Sequence, residues 1–470
     1  MTHDAPKERS PGIKLLLVLL IGFALLIPLL LVYALVYDRK DQSQTAQASI
    51  NAGWGGPQVV AGPVIVVPYK TTEVQNEIVG DKSVSRTVEV EKNLYISPVS
   101  NTVTTAVKPQ ERRKSIYSSV IFEADISGKA AFKLPADLPR FGVTRDQLIW
   151  DRAELRMGAS DSRGLTKGGK IVANGDALDV QPGKGPGSTG GQGFFAFLPW
   201  TGAETMDVDY SFGLRGSRSL SIVPRGGQTK WNVKSSWPSP SFAGDFLPET
   251  RDISDSGFAA SYTVDKLALG QPPVAMQDLG PPNIENGGNS YSPMRGARVE
   301  GGHTSGQATA ITVGLVEPVD LYSKVDRSVK YGFLFIGFTF LAFLLFDIVA
   351  GARVAAAEYL LTGAGLVLFF VLLLAFAEVI GFTAAYIAAS AAIIGLLTAY
   401  SSAVLGSWGR ARFIGALLIG LYALLFVLLN LEAWSLLIGS VLLFVALAGV
   451  MYATRRIDWS NVGTRETPAA

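Results

Sequence analysis

Three carboxylates in or beside long apolar runs are the residues that most directly suggest chemistry: Asp347, Glu358 and Glu378. Because charge is costly in lipid, such residues often bind ions or protons along a transport path. None of the three falls at the middle of its run, where a transporter would normally place one. The ordinary roles are therefore an interfacial ion pair of Asp347 with Arg353 and a contact of Glu358 with a helix N-terminus.

A second set of candidates lies in the polar middle of the chain: Asp161 and Arg163 in the segment 160–164 (SDSRG), and Trp237 before a proline. Loops of this kind carry much of the binding function of proteins, so these side chains could line a cleft. A tight turn and a proline-stiffened loop are the more ordinary interpretations.

Other chemistries are excluded by composition. The chain has no cysteine and two histidines, His3 and His303, which argues against a zinc site or a histidine-based triad. Lys184 follows Gly183, but the spacing of a phosphate-binding loop is missing, and there is no nucleophile elbow. The formal net charge of +2 does not favour nucleic acid as a partner. We therefore expect no cofactor, no metal ion and no catalytic activity.

Long apolar runs must position these residues. Each is close to the roughly 20 residues that cross a bilayer core as a helix, since backbone amides find no water in lipid. The breaks between the C-terminal runs are very short, which predicts antiparallel helix hairpins in one five-helix bundle. These runs are 331–349, 359–376, 383–405, 413–429 and 435–452.

Another apolar run, 15–36, contains no charged residue. A cleaved signal peptide is the alternative, but this run is longer than a signal-peptide core. We expect an uncleaved anchor, which makes six spans in all.

Basic residues in the short loops predict the orientation. Arg353, Arg410, Arg412 and Arg455 would all face the cytoplasm if the N-terminus does, and the other short loops contain no Lys or Arg. Only the basic residues just before 331 disagree, and this rule weakens beside a large translocated domain. Both termini are thus expected in the cytoplasm and the middle of the chain outside it.

The middle of the chain shows strand patterns. Apolar and polar residues alternate in 206–212, 258–264 and 308–315, which is typical of strands buried on one face. Glycine and proline clusters between them favour antiparallel sandwich or barrel layers. Whether there are one or two β cores stays open. Two Gly-rich stretches, 164–193 and 270–306, are expected to be loose loops.

These patterns predict a membrane α-helical bundle (six spans, one plus five) with a large β-rich, sandwich-like periplasmic domain. Small residues at Ala384, Ala388 and Ala392 leave a homo-oligomer open, although packing within the bundle is the ordinary explanation. The expected parts are 1–14 (cytoplasmic tail), 15–37 (first transmembrane helix), 38–328 (periplasmic domain), 329–453 (bundle) and 454–470 (cytoplasmic tail).

Several short sequence motifs, here called phrases, resemble the CreD family of inner-membrane proteins, described as cell-envelope integrity or colicin-tolerance proteins. The phrases follow one another in the family's order over nearly the whole chain after the first span. One departure is Ser239, where family members are expected to carry histidine. The phrases are Trp54 and Gln58, Gly62-Pro63, Pro68-Tyr69, 160–164, 236–248 (SWPSPSFAGDFLP), 257–260, 318–322, 327–335 and 455–459.

This resemblance implies an inner-membrane effector of a two-component system that responds to envelope stress, with effects on colicin and β-lactam susceptibility. The preferred hypothesis is a non-enzymatic protein whose periplasmic domain binds an envelope component or a membrane-protein partner. The alternatives are a transporter or lipid-handling protein that uses the helix bundle, and a membrane-tethered hydrolase.

Overall fold

The computed structural model describes residues 11–79, 82–202, 205–284, 306–315, 321–349, 354–430 and 435–455. The chain divides into two compact units. The helical unit is Met1–Thr45 together with Val319–Ala470, and the β unit is Ala46–Pro318.

The helices include one long N-terminal helix and a C-terminal group. They are α1 (Pro11–Trp54), α2 (Lys266–Leu269), α3 (Leu321–Lys330), α4 (Gly332–Val349), α5 (Ala356–Ile380), α6 (Phe382–Val404), α7 (Trp408–Asn430) and α8 (Ser435–Thr454).

The strands belong to the β unit. They are β1 (Gln58–Val79), β2 (Lys82–Ile96), β3 (Ser100–Lys114), β4 (Tyr117–Phe132), β5 (Glu154–Ala159), β6 (Leu165–Ala173), β7 (Asp176–Ala177), β8 (Gln181–Pro182), β9 (Gly193–Phe197), β10 (Met206–Ser217), β11 (Ser219–Val223), β12 (Gln228–Ser235), β13 (Pro240–Gly244), β14 (Thr250–Ser254), β15 (Gly257–Val264), β16 (Val274–Ala275) and β17 (Ile311–Leu315).

Helix α1 is 44 residues long and continues well beyond its apolar run. The added part, 38–54, is rich in alanine, glutamine and charged residues, which favour a helix, and has no glycine before Gly53. The helix ends before Gly55, whose positive φ of 124° a residue with a Cβ would rarely adopt.

Among the described residues, five helical stretches have the length and hydropathy of membrane spans: Ile13–Trp54, Leu321–Asp347, Ala356–Ile380, Phe382–Val404 and Trp408–Asn430. Helix α8, a mostly apolar helix of 20 residues, lies where the sequence predicts the sixth span. The predicted combination of an N-terminal helix, a β-rich domain and C-terminal apolar helices is confirmed, while the role of α8 as a span stays a prediction.

Within the helical unit, α5, α6 and α7 pack in sequence as antiparallel hairpins. The turn between α5 and α6 is a single residue, Gly381, with a φ of 78°. Helix α1 packs closely against this group, because a Cβ added to Gly363 would collide with Leu25. Ala385 and Ala389 of α6 are fully buried, whereas the Ala384, Ala388, Ala392 row is exposed.

Two sheets build the β unit. Sheet A has the order β13-β17-β11-β1-β5-β9-β8, with β2 paired to β1 and β16 to β2. Sheet B has the order β14-β15-β12-β3-β4-β10-β6-β7. Most strand pairs are antiparallel, as expected, and two described pairs are parallel: β1 with β11 and β12 with β3. Long stretches of chain between these partners supply the crossover that a parallel pair needs.

Among the described residues, one large hydrophobic core joins the two sheets, with a small separate cluster of Ala61, Val223 and Ala308. The large core joins Ile65 of sheet A with Phe122 and Trp231 of sheet B. Trp231 is fully buried, stacks on Tyr262 at a centroid distance of 5.3 Å, and donates its indole N–H to Thr105 Oγ1 at 3.0 Å. The polar atom of this large side chain is therefore satisfied inside the core.

The expectation of a loose 164–193 stretch is wrong. This region contains β6, β7 and β8, and β6 pairs with β10. Its glycines allow close packing: a Cβ on Gly169 would lie 3.0 Å from the Phe194 ring. The second stretch, 270–306, contains β16, and its part 285–305 lies outside the described residues.

Replacing the buried indole tests this core. We expect Trp231→Ala to lower the free energy of unfolding of the β unit by about 3–5 kcal/mol, since a large cavity is left. Denaturant unfolding of the full chain in detergent measures the change, with limited proteolysis of the β unit as the readout. The control Val74→Ala, at a 66% exposed position, should behave as wild type. Equal stability of the two variants would contradict the assignment of the core.

Candidate functional site

Asp347, near the end of α4, is a buried carboxylate with a cationic partner. Its side chain is 2% exposed and accepts a hydrogen bond from Lys14 Nζ of α1 at 2.9 Å. Lys14 is 26% exposed, so the ammonium retains some access to solvent. Arg353, the partner considered from the sequence, lies outside the described residues. The ion pair joins α1 to α4 near the ends of their apolar runs.

Glu358 and Glu378 lie at opposite ends of α5. Glu358 caps the helix start, where its Oε2 accepts the Ala355 N–H at 2.7 Å. Glu378 accepts a hydrogen bond from the Tyr322 hydroxyl of α3 at 3.2 Å. Twenty helical residues, about 30 Å at 1.5 Å per residue, separate the two glutamates along α5. They cannot act on one ion together.

The interior of the helical unit is filled by aromatic rings. Phe369 contacts Tyr422 at 4.5 Å, Phe370 at 5.0 Å and Tyr386 at 5.5 Å between centroids. The Tyr386 hydroxyl donates to the Tyr422 carbonyl oxygen at 2.7 Å. Edge-to-face contacts of this kind tie α5, α6 and α7 together.

In the β unit, Asp161 and Arg163 form their own turn. Asp161 accepts hydrogen bonds from the Arg163 backbone N–H at 3.1 Å and from the guanidinium at 2.8 and 2.9 Å. This guanidinium holds the pKa of the Asp161 carboxyl below its usual range. Arg163 is 75% exposed and Asp161 only 18%. The acid is thus occupied by a local contact.

Trp237 lies far across the sheets from Asp161. It follows β12 and packs partly buried against the main core. In sheet B, three strands (β3, β4 and β10) separate β12 from β6, which follows Asp161. The structure therefore does not bring Trp237, Asp161 and Arg163 into one cleft.

Asp161 instead belongs to a group of tertiary contacts with Gln58 and the end of α1, which we call the joint. The sequence did not predict these contacts. Gln58, at the start of β1, is fully buried. Its side-chain amide donates to the Arg215 carbonyl oxygen at 2.9 Å, and its Oε1 accepts the Asp161 N–H at 3.3 Å. Gln58 thereby ties the 160–164 turn to β10. A polar residue at the head of an apolar strand was the available signal.

The indole of Trp54 completes this joint at the end of α1. Its N–H donates to the Phe122 carbonyl oxygen at 3.3 Å. Two guanidinium groups approach its ring, Arg215 at 4.3 Å and Arg112 at 5.1 Å. Cation–π contacts of this kind hold the indole ring in place, and neither guanidinium group has to be buried without a partner. Two phrases that carried the family resemblance, around Trp54 and at 160–164, thus meet in space.

Lys184 also has a local role. Its ammonium contacts Glu154 Oε1 at 2.6 Å and lies 4.7 Å from the Phe195 ring centroid. Arg156 contacts the other oxygen of Glu154 at 2.8 Å. Glu154 is 7% exposed, so both cations compensate a buried carboxylate.

The outer face of sheet B carries two open depressions that share Thr104, with volumes of about 410 and 550 Å³. We call this surface the sheet B groove. It crosses seven neighbouring strands, from β14 to β6, a span of about 29 Å at 4.8 Å per strand. Short polar side chains line it together with apolar ones: Thr102, Thr104, Ser127, Ser211, Asn232, Thr250 and Ser261, with Val172, Val233, Ala259 and Ala260.

Charged residues in the groove lie mostly near opposite charges or at its ends. Lys129 contacts Asp209 at 3.4 Å. Lys170 and Lys234 lie on either side of the shared centre, and Arg251 and Asp252 lie on the edge strand β14. Hydroxyls and amides in an open groove can bind an extended polar chain through many weak hydrogen bonds.

Unpairing the buried carboxylate tests its role. We expect Lys14→Gln to destabilise the helical unit by about 3–5 kcal/mol, because Asp347 is left as an uncompensated buried charge. Asp347→Asn should cost less, since Lys14 can reach solvent, and the double variant should recover part of the loss. Unfolding of the detergent-solubilised protein in a denaturant series measures all three.

A matched control is the exposed pair Lys330–Asp326, at 2.7 Å on α3. Lys330→Gln should change stability by less than about 1 kcal/mol. Additive effects of Lys14→Gln and Asp347→Asn would show that the two residues do not interact.

Comparison with known proteins places the chain in a family. The family model described as "Inner membrane protein CreD" matches residues 10–460. Inner membrane protein CreD of Escherichia coli is 33% identical over 446 residues, which cover 93% of this chain and 90% of that protein.

Two crystal structures of an M1 zinc metallopeptidase from Deinococcus radiodurans align with 46% of this chain and with 42% and 41% of theirs. Their identities are 10% and 9%, and their TM-scores, 0.21 and 0.19, are too low to carry an inference. The match over nearly the full length is the one that decides: this chain belongs to the CreD family of inner membrane proteins.

Proposed function

We propose that this protein is a non-catalytic effector of the envelope-stress response whose β unit binds an envelope component in the periplasm. The sheet B groove is the observation that carries the proposal. It is long, open and lined by hydroxyl and amide groups, which suits an extended polar polymer better than a small substrate. Peptidoglycan is the envelope polymer with this chemistry, and we take it as the ligand to test.

The acidic groups of the groove support a binding role over catalysis. A general acid or base needs a pKa shifted towards neutrality, usually by burial or by a like charge. Asp209 is 58% exposed and contacts Lys129 at 3.4 Å, so it is neither buried nor placed beside a like charge. The proposal of a non-enzymatic protein rests on this chemistry.

The role as effector of a two-component system, with effects on colicin and β-lactam susceptibility, rests on the family resemblance. The helices then hold the β unit at the membrane. The ordinary contacts of Asp347, Glu358 and Glu378 favour this anchoring role over transport. A membrane-protein partner or a second copy of the chain remains compatible with the exposed alanine row of α6.

Orientation can be tested with single cysteines, since the natural chain has none. We expect Leu267→Cys, at an 87% exposed position on α2, to react with a membrane-impermeant maleimide in spheroplasts. Ser407→Cys, between α6 and α7, should react only after the membrane is permeabilised. The reverse pattern would place the β unit in the cytoplasm and end the proposal.

Blocking the groove tests the binding role. We expect Thr104→Trp to weaken sedimentation of the detergent-solubilised protein with isolated peptidoglycan by roughly tenfold or more, equivalent to 1.4 kcal/mol. The reason is steric, because Thr104 lies where the two depressions meet. The same variant should fail to restore wild-type colicin and β-lactam susceptibility in a deletion strain.

The matched control is Thr72→Trp, an exposed threonine on β1 outside sheet B. It should bind and complement as wild type. If neither the wild type nor the control sediments with peptidoglycan, this ligand is wrong. If Thr104→Trp still complements, the groove does not carry the function.

A further inference from the structure

The hairpin of β3 and β4 extends beyond sheet B as a two-stranded ribbon. Strand β12 pairs with β3 only up to Val107, and β10 pairs with β4 only from Ile121 onwards. The hairpin itself continues to the pair of Lys114 with Tyr117. Residues 108–120 therefore leave the sheet and end in a turn at 115–116.

This ribbon lies along the last turns of α1. From the sheet towards the ribbon tip, Phe122 O accepts from Trp54, Ser119 Oγ donates to Asn51 Oδ1 at 2.9 Å, and Ser118 O accepts from Gln47 at 3.1 Å. Each step towards the tip is a step towards the N-terminus of α1.

The tip, residues 111–116, is basic. Arg112, Arg113 and Lys114 are all exposed, and Glu111 is the acidic residue among them. Nearby acids are occupied: Asp125 pairs with Lys108 at 2.7 Å and Glu123 with Arg215 at 3.1 Å.

The neighbouring part of α1 adds no counter-charge, because residues 46–54 contain no charged side chain. Lys114 Nζ donates to Ser49 Oγ at 2.7 Å and Arg112 stacks on Trp54, so these cations have neutral neighbours. The tip therefore presents a net positive charge.

An apolar residue lies at the turn itself. Ile116 is 46% exposed and follows Ser115, whose φ of 58° makes the turn. Basic residues beside an exposed apolar side chain are typical of segments that bind at a membrane surface.

We propose that the β3–β4 tip docks on the bilayer that holds α1, with Arg113 and Lys114 against anionic lipid headgroups and Ile116 beside them in the headgroup region. Opposite charge supplies the attraction, worth about fivefold in the docked population per basic residue near an anionic surface. The tip would then fix how the β unit stands on the membrane. This inference is independent of the groove and its ligand.

The absence of cysteine allows a direct test in the full chain. Ile116→Cys labelled with bimane is placed in nanodiscs of phosphatidylcholine, with or without phosphatidylglycerol, that contain a lipid-borne quencher. We expect stronger quenching with phosphatidylglycerol. Adding Arg113→Gln and Lys114→Gln should lower the docked population on the order of 25-fold, fivefold for each charge. Arg113→Lys with Lys114→Arg should keep it.

The control label is Ser100→Cys, exposed at the opposite end of the same hairpin, which should not be quenched. Hydrogen exchange of residues 108–120 in the unlabelled chain provides a second measurement and should slow with phosphatidylglycerol. Equal quenching at both labels, or no dependence on lipid charge by either measurement, would overturn the proposal.

Discussion

Lipid offers no hydrogen-bond partner to a peptide group, and this constraint determines how the chain is divided. Segments inside the bilayer must satisfy their amides internally and are therefore helices. Only the part outside lipid can use sheets, where the hydrogen bonds run between distant segments. Along the chain, α1 comes before the strands of sheets A and B, and α3–α8 come after them.

Charge follows the same constraint. In the helical unit, Asp347 pairs with Lys14, Glu358 caps α5, and Glu378 accepts the Tyr322 hydroxyl. Each carboxylate is compensated close to a helix end, where desolvation is least costly. Aromatic packing around Phe369 fills the interior instead. These contacts are consistent with the proposed anchoring role of the helices, and with the sheet B groove and the β3–β4 tip as the proposed binding surfaces.

Local periodicity was sufficient wherever one element buries one face. Apolar run length predicted α4 to α7 within a few residues, and period-two alternation predicted β10 and β15. The family that the short sequence segments indicated was confirmed. The local pattern failed for 164–193, because β6 is stabilised by pairing with β10 and not by its own glycine-rich composition. It also did not predict that α1 continues as a polar helix to Trp54, since hydrophobicity does not report a helix outside lipid.

The sequence by itself determined the membrane runs, the β-rich middle and the family, because these depend on composition and short-range pattern. Only the tertiary structure decided that one core joins both sheets, that Lys14 pairs with Asp347, and that Trp54, Gln58 and Asp161 meet in one joint. It also separated Trp237 from Asp161. Such contacts join residues far apart in the chain, and their partners are chosen by strand order and helix packing, which no local pattern encodes.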